Sequence, residues 1–133
     1  MKRILILATL LAATGLSAPA AALPKLSENS YVTDRLIAAR VADRIRKTCP
    51  EISARIIYAF SQARALKRWA EDQGYSESEI EGFLDDKAEK KKIYAKAEAY
   101  LKDNGATDEA GFCALGRAEI GKRSIIGSLI YEN

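Results

Sequence analysis

Cys49 and Cys113 are the only thiols in the chain, and no histidine accompanies them. Together these two facts decide most of the chemistry open to it. Without imidazole the commonest general acid or base near neutral pH is missing, and neither a Ser-His-Asp nor a Cys-His nucleophile can be assembled. The single methionine is Met1, so zinc, copper and haem all lose their usual ligands. Two thiols without histidine make a poor metal site, and no Cys-x-x-Cys spacing points to redox exchange. No catalytic residue, cofactor or metal is therefore expected, and the chain is not expected to be an enzyme.

What the two thiols do depends on where the chain goes. Lys2 and Arg3 precede an apolar run from Ile4 to about Leu16, and Ala18-Pro19-Ala20-Ala21-Ala22 then offers the small residues that a signal peptidase reads. The run of about 13 residues falls short of the roughly 20 that cross a bilayer. Residues 1–22 are therefore expected to be a cleaved secretory signal ending near Ala22, and no transmembrane anchor is expected. No cysteine stands at the cleavage position to take a lipid. Export to an oxidising, periplasmic compartment favours pairing of Cys49 with Cys113 as a structural disulfide. On the loop-entropy argument, a closed loop of about 64 residues stabilises a domain by roughly 4 kcal/mol.

Charge excludes further classes. The chain carries 21 basic and 18 acidic residues; without Lys2 and Arg3 it is close to neutral. A nucleic-acid partner calls for a clustered basic excess, so none is expected. A chain of this length fits one domain with a single core.

The elements that position the cysteines read as helices. Residues 23–30 look like a short flexible lead and residues 31–133 like the folded domain. From about Tyr31, Ile37, Val41 and Ile45 recur along one face, and Pro50 ends this helix at Thr48. Thr48 and Glu51 stand as a capping box for a second helix over about 50–73, with Cys49 at its start and Ile52, Ile56, Ala59, Phe60, Ala63, Leu66 and Ala70 as an inward stripe. Gly74 stops it. Ser76 and Glu79 cap a third helix carrying Ile80, Phe83 and Leu84 inward. Asp86 either caps a further helix or continues the third, and a helical run reaches Asp103 before Asn104-Gly105. Thr107-Asp108 opens the helix holding Cys113. Ser124 to Tyr131 fits a last amphipathic helix better than a strand with no sheet to join. The expected fold is all-α, a small bundle of about five helices, with the disulfide tying the start of the second helix to the fifth.

Each remaining feature has a bland reading beside the functional one. The run Asp85 to Lys92 pairs its charges at helical spacing, as a solvated face does, rather than forming a basic patch. Trp69, among Arg64, Lys67, Arg68 and Glu71, reads as an edge-of-core ring with basic chains draped over it before it reads as an anchor for a partner. Ser53 and Ser61 lack a base to activate them. Arg117 or Glu119 is expected to cap the second helix or to pair with Arg46 or Arg55 in a buried polar network. Ile125, Ile126, Leu129 and Ile130 are the candidate partner-binding residues, on the expectation that the helices fill a core without them.

The segment Ile45-Arg46-Lys47-Thr48-Cys49-Pro50-Glu51-Ile52-Ser53-Ala54-Arg55, the turn Gln73-Gly74-Tyr75-Ser76, and Cys113 with Gly116-Arg117-Ala118-Glu119-Ile120 resemble a family of small exported alphaproteobacterial proteins of unknown function. The resemblance covers nearly all of the chain after residue 22. It implies a periplasmic, helical, disulfide-containing domain and no particular activity or ligand. The function expected is therefore that of a structural or adaptor protein binding another periplasmic or membrane protein, with a peripheral membrane or small-ligand-binding protein as the alternative class.

Overall fold

The structure, a computed structural model, describes residues 22–133. The expected signal segment lies, but for Ala22, outside the described residues. A 3-10 turn, Leu26–Glu28, precedes α1 (Ser30–Thr48), β1 (Ile52–Ala54), α2 (Ile56–Gln73), α3 (Glu77–Asp85), α4 (Lys87–Asp103), α5 (Glu109–Lys122), α6 (Ile125–Ser128) and β2 (Ile130–Glu132). Five helices of substantial length form the expected bundle, and a short sixth helix and a two-stranded sheet are added to it.

The axis of the bundle is α1. Asn29 caps it by accepting from the Val32 amide, and Ala38, Val41, Ala42 and Ile45 recur at the three- and four-residue spacing that keeps one face inward. Val41 and Ile45 are wholly buried against α4, α5 and α6. Pro50 forces Cys49 into an extended backbone, φ −97° and ψ 114°, and α1 ends there.

Beyond that point the structure departs from the expectation of a helix starting at Pro50. Residues 52–54 are extended and pair antiparallel with β2, Ile52 opposite Glu132 and Ala54 opposite Ile130. The tail expected as a last helix makes one turn, α6, and then supplies that strand. Two β-branched side chains explain the outcome: Ile52 and Ile130 both bury themselves in the main core by pairing, a gain that a capping box at Thr48 cannot match. The disulfide is accordingly placed differently as well. Cys49 closes α1, not the second helix, and its bond to Cys113 ties α1 to α5 with the Cα atoms 5.1 Å apart.

The remaining stops follow local chemistry. Gly74, at φ 107°, takes the left-handed conformation that ends α2. Ser76 and Glu79 exchange the reciprocal hydrogen bonds of a capping box at α3. Asp86 both ends α3 and caps α4 through the Ala88 and Glu89 amides, which settles the boundary the sequence left open. Asp108 caps α5 and Ser124 caps α6. At Gly127 the backbone of α6 lies so close to the Glu119 carbonyl that a Cβ would collide with it.

Two apolar clusters result. The larger joins α1, α4, α5, α6 and the strands; the smaller gathers Leu26, Val32, Ala70, Tyr75 and Ile80 at the other end. Within the stretch expected as a flexible lead, the structure instead shows a 3-10 turn with Leu26 buried, and the Tyr75 hydroxyl donates to the Pro24 carbonyl at 2.6 Å. The first half of α2 belongs to neither cluster; Ala70 alone on that helix is buried.

Candidate docking face

Among the described residues, the candidate polar side chains are engaged in local structure. Ser53 donates to the Asn133 side chain at 2.6 Å and Ser61 to the Tyr58 carbonyl at 2.7 Å, each hydroxyl engaged in holding a local turn or strand end. Cys49, Glu51 and Cys113 lie close enough to share an ion, but the two sulfurs are bonded to each other and are not thiolates. Glu119 is the one buried carboxylate among the described residues, 1% exposed. Burial works to raise its carboxyl, but hydrogen bonding from Ser124 and Tyr100 and the nearby Lys122 ammonium outweigh it and hold the group below its ordinary value. The Tyr100 phenol, desolvated and donating to that carboxylate, is pushed up to about 12. A carboxylate held ionised and a phenol held neutral form a structural tie between α4 and α5, with no proton to exchange near neutral pH.

The charged features follow the same pattern. Arg117 forms ion pairs with Glu51 and, at 2.7 Å, with Glu132, fastening both strands to α5 on the surface. It neither caps α2 nor joins Arg46, which pairs with Asp43, or Arg55, which donates to the Ile130 carbonyl. Asp43, gripped by Lys47 and Arg46, has its carboxyl lowered despite the burial that opposes this. In the run Asp85 to Lys92, Asp86 is a cap and Glu89 pairs with Lys92 at 3.0 Å, the behaviour of a solvated helix face. Trp69 is half-buried and stacks on Tyr31 with ring centroids 4.1 Å apart, while Arg35 covers the other ring. That is an edge-of-core aromatic.

The tail expected to dock a partner is mostly inside. Ile126, Leu129 and Ile130 belong to the main core, Ile130 with no exposure at all, because pairing with β1 and packing on α5 and α6 turn the first side chain of β2 inward. Ile125 alone of the four is exposed, and it lines a cleft of about 300 Å³ between α1 and α2 together with Leu36, Ile56, Ala63 and Leu66.

Leu84, expected inward on α3, is exposed near the end of that helix, but the largest group of uncovered apolar side chains lies on α2. Ile57 is 86% exposed and Phe60 63%, and Ile56, Tyr58 and, across the sheet, Tyr131 are each close to half exposed. Ile56, Ile57, Tyr58 and Tyr131 stand around a broad depression of about 1010 Å³ whose wall includes Ala54, Arg55, Ile120 and Arg123; Phe60 lies outside it. Counting along α2, Ile57, Ser61, Arg64 and Arg68 share one outward stripe, so an apolar tip grades into a basic shaft. The sequence reading put Ile56 and Phe60 in the core. One signal in the sequence bears on this: Ile56-Ile57-Tyr58 are consecutive, so they cannot all face inward on one helix; the rest is non-local, because residues 52–54 are extended and α2 begins only at Ile56.

Single apolar side chains on a surface are ordinary, but a contiguous group of large ones marks a place where something else binds. A family model described as "Family of unknown function (DUF5333)" matches residues 24–131. No curated protein and no solved structure matches the chain.

Proposed function

We propose, from the premise that the chain belongs to this DUF5333 family of unknown function, that it is an exported, non-catalytic adaptor that works by docking the exposed face of α2 against another macromolecular surface. The observation that carries this reading is Ile57, the most exposed large apolar residue of the body, standing beside Phe60 on the first half of α2, which contributes no buried residue to either core cluster. A disulfide between the only two cysteines is compatible with an oxidising compartment. Among the described residues no helix is long and apolar enough to cross a membrane, which agrees with a body that attaches to its partner from outside. The non-enzymatic reading draws its support from the absence of histidine and from the structural employment of each candidate hydroxyl and carboxylate.

The test is positional. A photo-crosslinking side chain placed at Phe60 captures the docked surface, protein or lipid, in the native compartment, and the same group placed at Lys102, on the far end of α4, does not. Equal labelling from both positions, or none from Phe60, overturns the docking assignment.

A further inference from the structure

The docking face has a charge as well as a shape. From Ile52 to Ala70 there is no carboxylate, while Arg55, Arg64, Lys67 and Arg68 fall within that stretch; from Ile120 to Tyr131 there is again none, and of the two bases there Lys122 reaches back to Glu119 at 3.6 Å and Arg123 does not pair. Lys67 is neutralised by Glu77 at 2.9 Å. The side chains of Arg55, Arg64, Arg68 and Arg123 make no ion pair among the described residues, and all four are exposed. Elsewhere acids stand among the bases, as in the run from Asp85 to Lys92, whereas these two stretches hold none.

We infer that the surface met by this face is an anionic lipid bilayer. The inference rests on the docking reading above and supplies its occupant. Charge decides first. A second copy of the chain would bring two such arginine sets together with no carboxylate between them, an arrangement that like-charge repulsion opposes. A bilayer with anionic phosphates attracts each exposed arginine near its surface. Shape decides second. Ile57, at the rim of the depression, and Phe60 are the two most exposed large apolar side chains of the body, and a folded protein partner would need a surface complementary to both, whereas fluid acyl chains take up an exposed side chain of any form. The vertical order also fits. Arg64 lies seven residues from Ile57, about 10 Å along the axis, which matches the depth of about 5–10 Å to which an interfacial apolar face sinks below the headgroups. Tyr58 and Tyr131 flank the tip, and tyrosine favours the boundary between headgroup and chain. With Ile57 and Phe60 submerged, Arg64 stands at phosphate height and Arg68 one turn, about 6 Å, further out, where it faces the headgroup layer.

Sedimentation with vesicles tests this, using the disulfide-bonded protein without its leader. Vesicles containing phosphatidylglycerol should bind it about tenfold better than pure phosphatidylcholine vesicles, and raising the salt concentration should weaken the binding as screening predicts. Ile57→Glu with Phe60→Glu should abolish binding to both, and Arg64→Glu with Arg68→Glu should remove the preference for the anionic lipid. Lys91→Glu, on the solvated face of α4, should bind like the parent. Because these side chains are exposed, the melting temperature of each variant should stay near that of the parent, which separates lost docking from lost folding. Failure of the parent protein to bind phosphatidylglycerol vesicles, or undiminished binding by the Ile57 and Phe60 variant, overturns the inference. If the Phe60 crosslinker captures a protein while vesicles are ignored, the docking reading stands and the lipid assignment falls; if it captures nothing, both fall.

Discussion

The Tyr100 hydroxyl donates to the Glu119 carboxylate across 2.5 Å, joining the fourth helix to the fifth at the edge of the main core. Lys122 adds its ammonium 3.6 Å from the same carboxylate. The pair makes stability depend on pH at both ends of the scale. Glu119 has its folded pKa below the unfolded one, so its contribution is present above the ordinary glutamate range and is lost as pH falls through the lowered value. Tyr100 is shifted the other way, so its contribution is whole below about pH 10 and declines as pH climbs to about 12. Urea midpoints measured against pH should therefore fall on both sides. Tyr100→Phe should flatten the alkaline decline, and Glu119→Gln should flatten the acid one while costing about 1–3 kcal/mol at neutral pH. An alkaline limb unchanged in Tyr100→Phe would show that the phenol is not held by Glu119.

The disulfide should resist reduction until the fold opens. Cys49 has no exposure and Cys113 is nearly buried, so a thiol reductant reaches the bond only through local unfolding. Thiol labelling of the native protein should find no free cysteine. Replacing both cysteines with serine should cost roughly 4 kcal/mol, the loop-closure entropy of a crosslink this long. Rapid reduction without denaturant would contradict the burial.

Deleting Ser124 to Asn133 should lower the melting temperature sharply. The segment contributes Ile126, Leu129 and Ile130 to the main core and the whole of β2, and each lost aliphatic side chain costs about 2–5 kcal/mol. Ile125→Ala, by contrast, trims an exposed residue and should change stability by less than about 1 kcal/mol. A deletion variant that melted with the parent would return the tail to the surface.

Much of the bundle was legible because its signals are local. The proline after Cys49, the left-handed glycine at 74, the serine–glutamate box at 76–79 and Asp108 each act within a few residues, and the helix limits they set agree with the structure to within a residue or two. The sheet was not legible for the opposite reason. Three residues at 52–54 show no persistent alternation, and their partner strand lies at the other end of the chain, so nothing nearby announces it. That one non-local pairing moved the start of α2, reassigned Cys49 from one helix to another and turned the tail inward. It also exposed Ile56 and Phe60, which a helical wheel alone assigns to the core. The Tyr100–Glu119 tie was equally silent, since no spacing links two residues on different helices.

The pairing of β1 with β2 sets the order in which this chain can fold. Ser53 and Asn133 bond across 80 residues, so Ile52 waits for its partner strand through the synthesis of five helices, α2 to α6. Helices α3 and α4 need only their own neighbours and can form early. The sheet cannot. Oxidation of Cys49 with Cys113 changes the distance that remains to be searched, because the path from one strand to the other then runs through the sulfur bridge and is about threefold shorter, worth about 1 kcal/mol of closure entropy. The disulfide is thus a step on the folding route as well as a fastening of its product, and a reducing environment should slow the last event of folding more than any earlier one.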